Sequence, residues 1–375
     1  MKALSGIVFF FIVLVLVPVL FQRTGRTDLG VVMTAAARLD AHETVYRIDD
    51  LNEHNKPPMV AMLFVPLLAL PLFWLERVWD LLNLFVFVAL ALLLVRENLP
   101  PGRRFWAALL PIYILLNPWS QEIRLGQYNF ALFAFAVWAG WRRRDRAMEF
   151  AWALAVMFKP VFLFLGPWIF RRSRRPGRIA AICLALAAAT ALAFVAVYGR
   201  QWFVSEMQSW LAFLPPSTEK NLIRRDNFGL AAGWPVLSAN QWMLVGLGAS
   251  ALAAWLCTDA LAALAVASVA LVLCVPIAWY QNYTMLLPAL IWVCRAYTHA
   301  RGAERVLLAT SLAVLWAGTG LLNPYACKFL PCALLPGRYQ LWFTVAAIVL
   351  VAISQAVRSL GALHFAGEQK IDQRS

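Results

Sequence analysis

The sequence predicts an all-α polytopic membrane protein. Of its 375 residues, 62% are hydrophobic and 14% are charged, whereas soluble domains are less apolar and carry more charge. Many apolar segments approach the roughly 20 residues that a spanning helix needs. Arginine-rich runs between these segments are typical of cytoplasmic loops. The net charge of +14 therefore reflects membrane topology, and no nucleic acid partner is expected.

Taken in chain order, the apolar segments predict ten spanning helices. They cover residues 5–21, 78–95, 105–117, 129–141, 179–198, 239–257, 260–276, 283–297, 305–321 and 339–357. We expect the first to be a retained anchor, because no small-residue cleavage site follows it. Two shorter arms bring the count to about 12 membrane helices. No repeat or linker interrupts residues 1–375, so we expect a single domain.

Residues 148–170 predict a re-entrant hairpin. Arginine runs on both flanks belong in the cytoplasm, yet only 24 residues separate Arg146 from Arg171. One arm would rise to Lys159, where the following proline interrupts the helix, and a second arm would return. Each arm is about 16 Å long and reaches only part of the way through a bilayer. Lys159 would then lie inside the membrane, where a lysine is functional, snorkels or pairs with a buried carboxylate.

The segment 58–75 decides which loops face outward. Prolines interrupt this stretch, and only an immersed placement leaves every arginine-rich run inside, so we favour that placement. The first loop, 22–57, is then extracytoplasmic, and the apolar spacing within residues 28–39 predicts an amphipathic helix lying on the membrane surface. The other outer segments are 118–128, 199–238, 277–282 and 322–338, and the last contains Cys327 and Cys332. These two cysteines could pair in an oxidising compartment.

The polar residues that need an explanation all fall on this outer side. They are Asp28, Tyr46, Lys56, Gln127, Asn129, Lys159, Arg225, Asn227, Trp279, Gln281 and Asn282. Cations bind phosphate, aromatic faces pack on sugar rings, and a carboxylate can remove a proton from an acceptor hydroxyl. This set therefore suits a sugar linked to a lipid phosphate, and we hypothesise that Asp28 is the base of a membrane glycosyltransferase. No acidic cluster predicts a metal site, and no cofactor is expected.

Several of these candidates also have a structural explanation. Asp28 could simply cap the 28–39 helix, and Gln127 and Asn129 could cap another helix end. Arg225 could pair with anionic headgroups, and Trp279 could belong to the aromatic belt at the membrane interface.

Two other functions stay open. A lipid-linked sugar flippase or transporter would use the same basic, aromatic groove without needing a catalytic base. A membrane-bound acyltransferase would need a histidine in a membrane-embedded site, but the four histidines lie in loops or the tail.

Six short motifs stand in a fixed order along the chain. They are DLGVVMTAAARLDAHETVY at 28–46, Lys56-Pro57-Pro58, Gly126-Gln127-Tyr128-Asn129, Lys159-Pro160, Asn227-Phe228-Gly229-Leu230 and VPIAWYQNYTMLLP at 275–288. Together they resemble glycosyltransferase family 87 of the GT-C superfamily, which includes polyprenyl-phosphate-mannose-dependent mannosyltransferases. The family has a His-His pair where this chain has Gln281-Asn282.

The resemblance implies a GT-C-type helical bundle that transfers a sugar with inversion. The donor would be a polyprenyl-phosphate sugar, carrying mannose or another hexose or pentose, and the acceptor a lipid or glycan. Asp28 would be the general base. The phosphate contacts would be Lys56, Lys159 and Arg225. The sugar or acceptor contacts would be Gln127 and Asn282. The basic inner loops fit a bacterial inner membrane, with the site facing outward.

Overall fold

The computed structural model describes residues 28–50, 54–224, 227–321 and 339–372, and no strand occurs in these ranges. The all-α prediction is thus confirmed for this part of the chain. The predicted anchor at 5–21, Arg225 and the 322–338 loop with Cys327 and Cys332 lie outside it. The α-helices are α1 (Asp28–Asp40), α2 (Pro58–Phe64), α3 (Leu72–Asn98), α4 (Arg104–Ile114), α5 (Leu116–Arg124), α6 (Asn129–Trp141), α7 (Asp145–Phe158), α8 (Gly166–Arg172), α9 (Pro176–Tyr198), α10 (Arg200–Leu222), α11 (Leu230–Gly233), α12 (Ala239–Leu256), α13 (Ala260–Leu273), α14 (Leu287–His299), α15 (Gly302–Trp316) and α16 (Tyr339–Asp372). Shorter 3-10 or π-helical segments are Val65–Ala69, Pro101–Arg103, Pro160–Leu165, Tyr280–Leu286 and Ala317–Leu321.

Among the described residues, three helices are long and apolar enough to cross a membrane, namely α3, α9 and the Tyr339–Ser359 part of α16. Their ends follow backbone chemistry. Helix α3 contains neither glycine nor proline and stops just before Pro100. Helix α9 begins with Pro176 at its first position and ends at Gly199, whose φ of 88° a residue with a Cβ rarely adopts. The chain is therefore a membrane protein, while the count of about 12 helices stays a prediction.

Prolines divide the segment that follows the first loop. Helix α2 ends at Phe64, the 3-10 helix covers Val65–Ala69, and α3 begins only after Pro71. The stretch Pro58–Ala69 would be about 18 Å long as a continuous helix, shorter than the roughly 30 Å core of a bilayer. This length fits the immersed placement, which stays a prediction.

Helix α7 ends at the predicted position. Lys159 has extended backbone (φ −152°, ψ 106°), and a 3-10 helix of Pro160–Leu165 follows before α8. The Trp152 indole N–H donates to the carbonyl of Phe162 over 2.8 Å, which ties the two sides of the break together. The break confirms the effect of the proline on the preceding residue. The position of the hairpin in a bilayer stays a prediction.

Helix α1 forms where the apolar spacing predicts it, but its environment differs from the prediction. Leu29, Val32 and Leu39 have no exposed surface, because α1 packs against α2 and the following 3-10 helix. The apolar stripe is therefore covered by protein and not by lipid, while the placement of α1 at the membrane surface stays a prediction. A periodic pattern identifies a buried face without identifying what buries it.

Helix α10 lies in a segment for which the sequence analysis predicts only an outer location. It has Pro215 and Pro216 inside it and a mixed polarity, so neither hydropathy nor a helix-stop signal reveals it. Helix α10 contacts α2 and encloses the end of the first loop. Its Glu206 carboxylate accepts a hydrogen bond from the Val45 backbone N–H at 3.3 Å.

The largest hydrophobic core joins α3, α5, α6, α13 and α14. At its centre, Phe87 of α3 stacks on Trp119 of α5 with ring centroids 4.3 Å apart. The 3-10 helix Tyr280–Leu286 packs on α5, and α6 packs on α7. This packing brings the N-terminus of α1, the turn between α5 and α6, and the end of α7 to one region.

Candidate active site

Asp28 is the first residue of α1 and is partly exposed. Its backbone N–H donates to the Leu125 carbonyl over 2.6 Å, and Gln127 Nε2 donates to its carboxylate Oδ2. Within the described ranges, Gln127 is the only group that donates a hydrogen bond to this carboxylate. The capping explanation is therefore not supported by a hydrogen bond. The N-terminus of α1 still favours a negative charge at this position.

Hydrogen bonds hold both polar atoms of the Gln127 side chain and also its backbone carbonyl. Asn129 Nδ2 donates to Gln127 Oε1 over 2.6 Å, which leaves the amide nitrogen to face Asp28. The Gln127 carbonyl accepts from Asn83 Nδ2 at 2.8 Å and from the Trp79 indole at 3.1 Å. Gln127 and Asn129 thus form a short chain of hydrogen bonds ending at the carboxylate, and no side chain of theirs caps α6.

Glu122 is a second carboxylate at this site, and the sequence analysis missed it. Its side chain has no exposed surface, and Oε1 accepts a hydrogen bond from the Phe130 backbone N–H at 2.9 Å, which caps α6. Its Oε2 is buried without a hydrogen-bond partner in the described part of the chain. Burial raises the pKa of Glu122 to about 8, although the Phe130 N–H and the charge of Lys159 act in the opposite direction. A sequence signal existed, because Glu122 is the only acidic residue in 118–128.

Two lysines provide positive charge beside the carboxylates. Lys56 is buried, and its Nζ lies 5.6 Å from the centre of the Tyr128 ring. Burial lowers the pKa of Lys56, and the negative charge of Asp28 partly opposes that effect. Lys159, at the break after α7, interacts electrostatically with Asp28, Glu122 and Lys56. We call the set Asp28, Lys56, Glu122, Gln127, Asn129 and Lys159 the aspartate cluster.

His54 lies beside the aspartate cluster and was also missed. It is 3% exposed, and neither ring nitrogen has a hydrogen-bond partner among the residues that the structure describes. Burial, followed by the positive charge of Lys56, lowers the pKa of His54 well below its usual value. The neighbouring Tyr46 hydroxyl donates to the Lys56 carbonyl over 2.7 Å. Tyr46 therefore supports the backbone that carries Lys56.

Asn227 has a different environment from the one that the sequence analysis predicts. Its Oδ1 accepts from the N–H groups of Gly229 at 3.1 Å and Ala278 at 2.9 Å. Its Nδ2 donates to the carbonyls of Pro276 at 2.9 Å and Asn221 at 3.4 Å. The amide is fully used and unexposed, so these bonds favour a structural role over a substrate contact.

The remaining predicted residues lie on the segment that Asn227 fixes. The Arg224 guanidinium lies 4.8 Å from the centre of the Trp279 ring, a cation–π contact typical of an interface. Gln281 and Asn282 are 7% and 4% exposed and belong to the 3-10 helix that packs on α5, the helix of Glu122. Asn282 Oδ1 is buried without a partner among the described residues. Asn282 therefore keeps a free acceptor on an element next to the aspartate cluster.

The cluster offers cations and amides rather than a set of metal ligands. In the part of the chain that the structure describes, no group of three His, Cys, Asp or Glu residues could hold a metal ion. The buried Lys56 and the half-buried Lys159 suit an anion, and an anchored carboxylate suits proton removal. Arg225 lies outside the described residues, so its predicted phosphate contact stays a prediction.

Comparison with known proteins identifies one family. The sequence model of glycosyltransferase family 87 matches residues 56–296, about two thirds of the chain. The match contains every member of the aspartate cluster except Asp28. No curated protein matches the chain.

Proposed function

The chain belongs to glycosyltransferase family 87, and we propose from this premise that it transfers a sugar from a polyprenyl-phosphate donor. The sugar would be mannose or another hexose or pentose, and the acceptor a lipid or glycan hydroxyl. The observation that carries this proposal is the Asp28 carboxylate, held by Gln127 and in electrostatic contact with Lys56 and Lys159. Family membership makes the chain a glycosyltransferase and disfavours the flippase and acyltransferase alternatives.

In the proposed step, Asp28 removes the proton from the acceptor hydroxyl. The freed oxygen attacks the anomeric carbon while the bond from that carbon to the phosphate oxygen breaks. The electron pair of the broken bond remains on the polyprenyl phosphate. A single displacement of this kind inverts the configuration at the anomeric carbon. Gln127 supports the step because one hydrogen bond holds the carboxylate in place and leaves its other oxygen available.

The leaving phosphate gains negative charge, and we assign its stabilisation to Lys56 and Lys159. Fixed cations in a site with little water stabilise developing charge more strongly than they do in bulk solvent. Lys56 is buried, and neither lysine forms a salt bridge with a described carboxylate. Both ammonium groups therefore remain available to a phosphate. Arg225 remains a further predicted contact.

Glu122 and Asn282 are our candidates for contacts with the transferred sugar. Each has a buried oxygen without a protein partner in the described residues, and a sugar hydroxyl would satisfy it. A Glu122 that keeps its proton at neutral pH could also donate a hydrogen bond. Asn282 stands where the family has its histidine pair, on the 3-10 helix that packs against α5, and Glu122 is on α5 itself.

The proposed orientation follows from charge. The arginine-rich loops belong in the cytoplasm, so the aspartate cluster would face the outside, or the periplasm of a bacterial inner membrane. A lipid-linked donor would reach the cluster from the surrounding bilayer. We expect the helices to form a GT-C-type bundle around the aspartate cluster.

The test compares Asp28→Asn with wild type in lipid nanodiscs. Radiolabelled polyprenyl-phosphate mannose is supplied with membrane lipid acceptors, and release of polyprenyl phosphate is measured. Loss of the general base lowers turnover by at least about 100-fold, with donor binding retained. The matched control is Asp40→Asn, which removes an exposed carboxylate from the other end of α1 and leaves turnover unchanged.

Three other outcomes would count against parts of the proposal. Equal turnover in Asp28→Asn and wild type would remove Asp28 as the base. Donor binding without turnover in either protein would indicate another acceptor or a transport role. No donor binding would show that the donor is not this lipid.

A further inference from the structure

A deep groove lies between α4, α14 and α15, away from the aspartate cluster. Its volume is about 780 Å³, and no residue of the cluster lines it. The walls are mostly apolar and aromatic, with Trp106, Leu110 and Tyr113 on α4 facing Leu312 and Trp316 on α15. Apolar grooves of this size on a membrane protein are suited to a hydrocarbon chain.

One end of the groove is positively charged. Arg103 and Arg305 both line it and are both exposed. The Arg103 guanidinium donates to the Thr298 carbonyl, and the Arg305 guanidinium lies 4.8 Å from the centre of the Tyr297 ring. These contacts hold both arginines at the opening and leave further N–H groups free to donate.

No carboxylate in the described part of the chain neutralises this end. Neither arginine takes part in a salt bridge there. Glu304, the neighbour of Arg305, is turned away toward α16, where its Oε1 lies 3.9 Å from Arg358. The opening therefore has two unneutralised positive charges above an apolar groove.

The length of the groove matches one leaflet. Tyr113 of α4 lies ten positions after Arg103, a rise of about 15 Å along the helix, which is half of the roughly 30 Å hydrocarbon core. At the inner end, Tyr113 and Trp316 stack with ring centroids 5.9 Å apart and planes 21° apart. A ligand would thus have its charge at the membrane interface and its chain ending near the bilayer midplane.

We propose that this groove binds one anionic phospholipid of the cytoplasmic leaflet. The phosphate lies between Arg103 and Arg305, and one acyl chain runs along α4 to the Tyr113–Trp316 pair. The arginines bind the phosphate as hydrogen-bonding cations, and the aromatic walls of the groove pack against the acyl chain. This inference depends on the arginine-rich end being cytoplasmic and does not depend on the sugar-transfer chemistry.

The test titrates detergent-solubilised full-length protein with phosphatidylglycerol, with zwitterionic phosphatidylcholine, and with glycerol phosphate, which has no acyl chain. We expect phosphatidylglycerol to bind most tightly. Arg103→Gln with Arg305→Gln weakens its binding about 30-fold, at about fivefold for each arginine. Ala309→Trp, which places an indole in the groove from α15, abolishes the binding of both lipids.

Arg301→Gln is the matched control, because Arg301 is an exposed arginine just before α15 that does not line the groove. It leaves phosphatidylglycerol binding unchanged. Thermal unfolding of each variant confirms that the protein is intact, which we expect because the substituted side chains are exposed. Phosphatidylglycerol binding that is equal in the double arginine variant and wild type would overturn the proposal. Glycerol phosphate binding as tightly as the lipid would also overturn it, since that result indicates a site for a soluble anion.

Discussion

Glu122 and Glu149 are two glutamates without any exposed surface, and they differ in how many hydrogen bonds their carboxylates accept. Glu149 of α7 accepts from Arg178 Nε at 2.5 Å, from Arg178 Nη2 at 2.9 Å and from Ser173 Oγ at 2.6 Å. Glu122 of α5 accepts one backbone N–H on Oε1, and Oε2 has no partner in the described residues. One carboxylate is fully satisfied and the other is half satisfied.

Under the proposed function, the difference separates a structural carboxylate, Glu149, from one that contacts the substrate, Glu122. A buried charge without a partner costs free energy, so stability alone does not favour such a group. Glu149 ties α7 to α9 near the arginine-rich loops. Glu122 lies with the aspartate cluster, where a substrate can supply the missing partner. Active sites commonly contain groups that stability would not select.

Of the two glutamates, the larger effect on turnover is expected from removing Glu122. Glu122→Ala lowers turnover about 30-fold or more, because a buried hydrogen bond to the sugar is lost. Glu122→Gln keeps the hydrogen bond from the Phe130 N–H and lowers turnover less. The measurement is release of polyprenyl phosphate in nanodiscs, per folded molecule.

Glu149→Gln tests the other side of the comparison between Glu122 and Glu149. We expect it to lower the melting temperature by several degrees, since it removes the charge that Arg178 binds, and to leave turnover of the folded protein unchanged. If Glu149→Gln and Glu122→Gln lower turnover equally, the distinction between the two glutamates fails.

A second contrast concerns two buried asparagines. Asn227→Ala leaves the N–H of Ala278 and the carbonyl of Pro276 without partners, so it destabilises the protein by about 2 kcal/mol. Asn282→Ala removes an oxygen that has no partner among the described residues, so we expect it to cost much less stability but to lower turnover. Thermal unfolding and turnover are measured on both variants. A larger stability loss in Asn282→Ala would contradict this assignment.

A smaller effect is expected at Gln127. Gln127→Ala releases the Asp28 carboxylate from its hydrogen bond and lowers turnover about tenfold, because the base is less well oriented. The control is Gln241→Ala, which removes the capping box of α12. That change lowers stability by about 1 kcal/mol and leaves turnover unaffected. Turnover that survives Gln127→Ala unchanged would show that Asp28 needs no such support.

A last prediction concerns the pH dependence of stability. The pKa of Glu122 is raised by burial from 4.5 to about 8. Between these values the unfolded chain has released the proton that the folded chain keeps, so stability falls as the pH rises from about 5 to 8. Glu122→Gln cannot titrate and removes part of this slope. Melting temperatures at four pH values check it, and parallel slopes in both proteins would refute it.

The sequence by itself determined the class of the protein and several helix boundaries. Apolar segments of spanning length require helices, because a helix satisfies its own backbone in lipid. Proline fixes breaks for a local reason, so the end of α7 at Phe158 and the break at Lys159 follow from Pro160. Helix α6 begins and ends at the predicted residues, 129 and 141. Asp28, Lys56 and Gln127 could also be identified as candidate site residues, because they are polar residues next to apolar segments.

Only the tertiary structure decided which polar groups meet. Asp28 and Gln127 are 99 positions apart, so packing sets their hydrogen bond, not local pattern. The same applies to Asn227, whose partners include Pro276 and Ala278, and to the covering of α1 by α2. Glu122 stands out in the sequence only as the single acidic residue of 118–128, and its candidacy rests on burial and on an oxygen without a partner among the described residues. Periodicity reports which face is buried, whereas hydrogen-bond satisfaction depends on atoms from distant segments and is set by the folded chain.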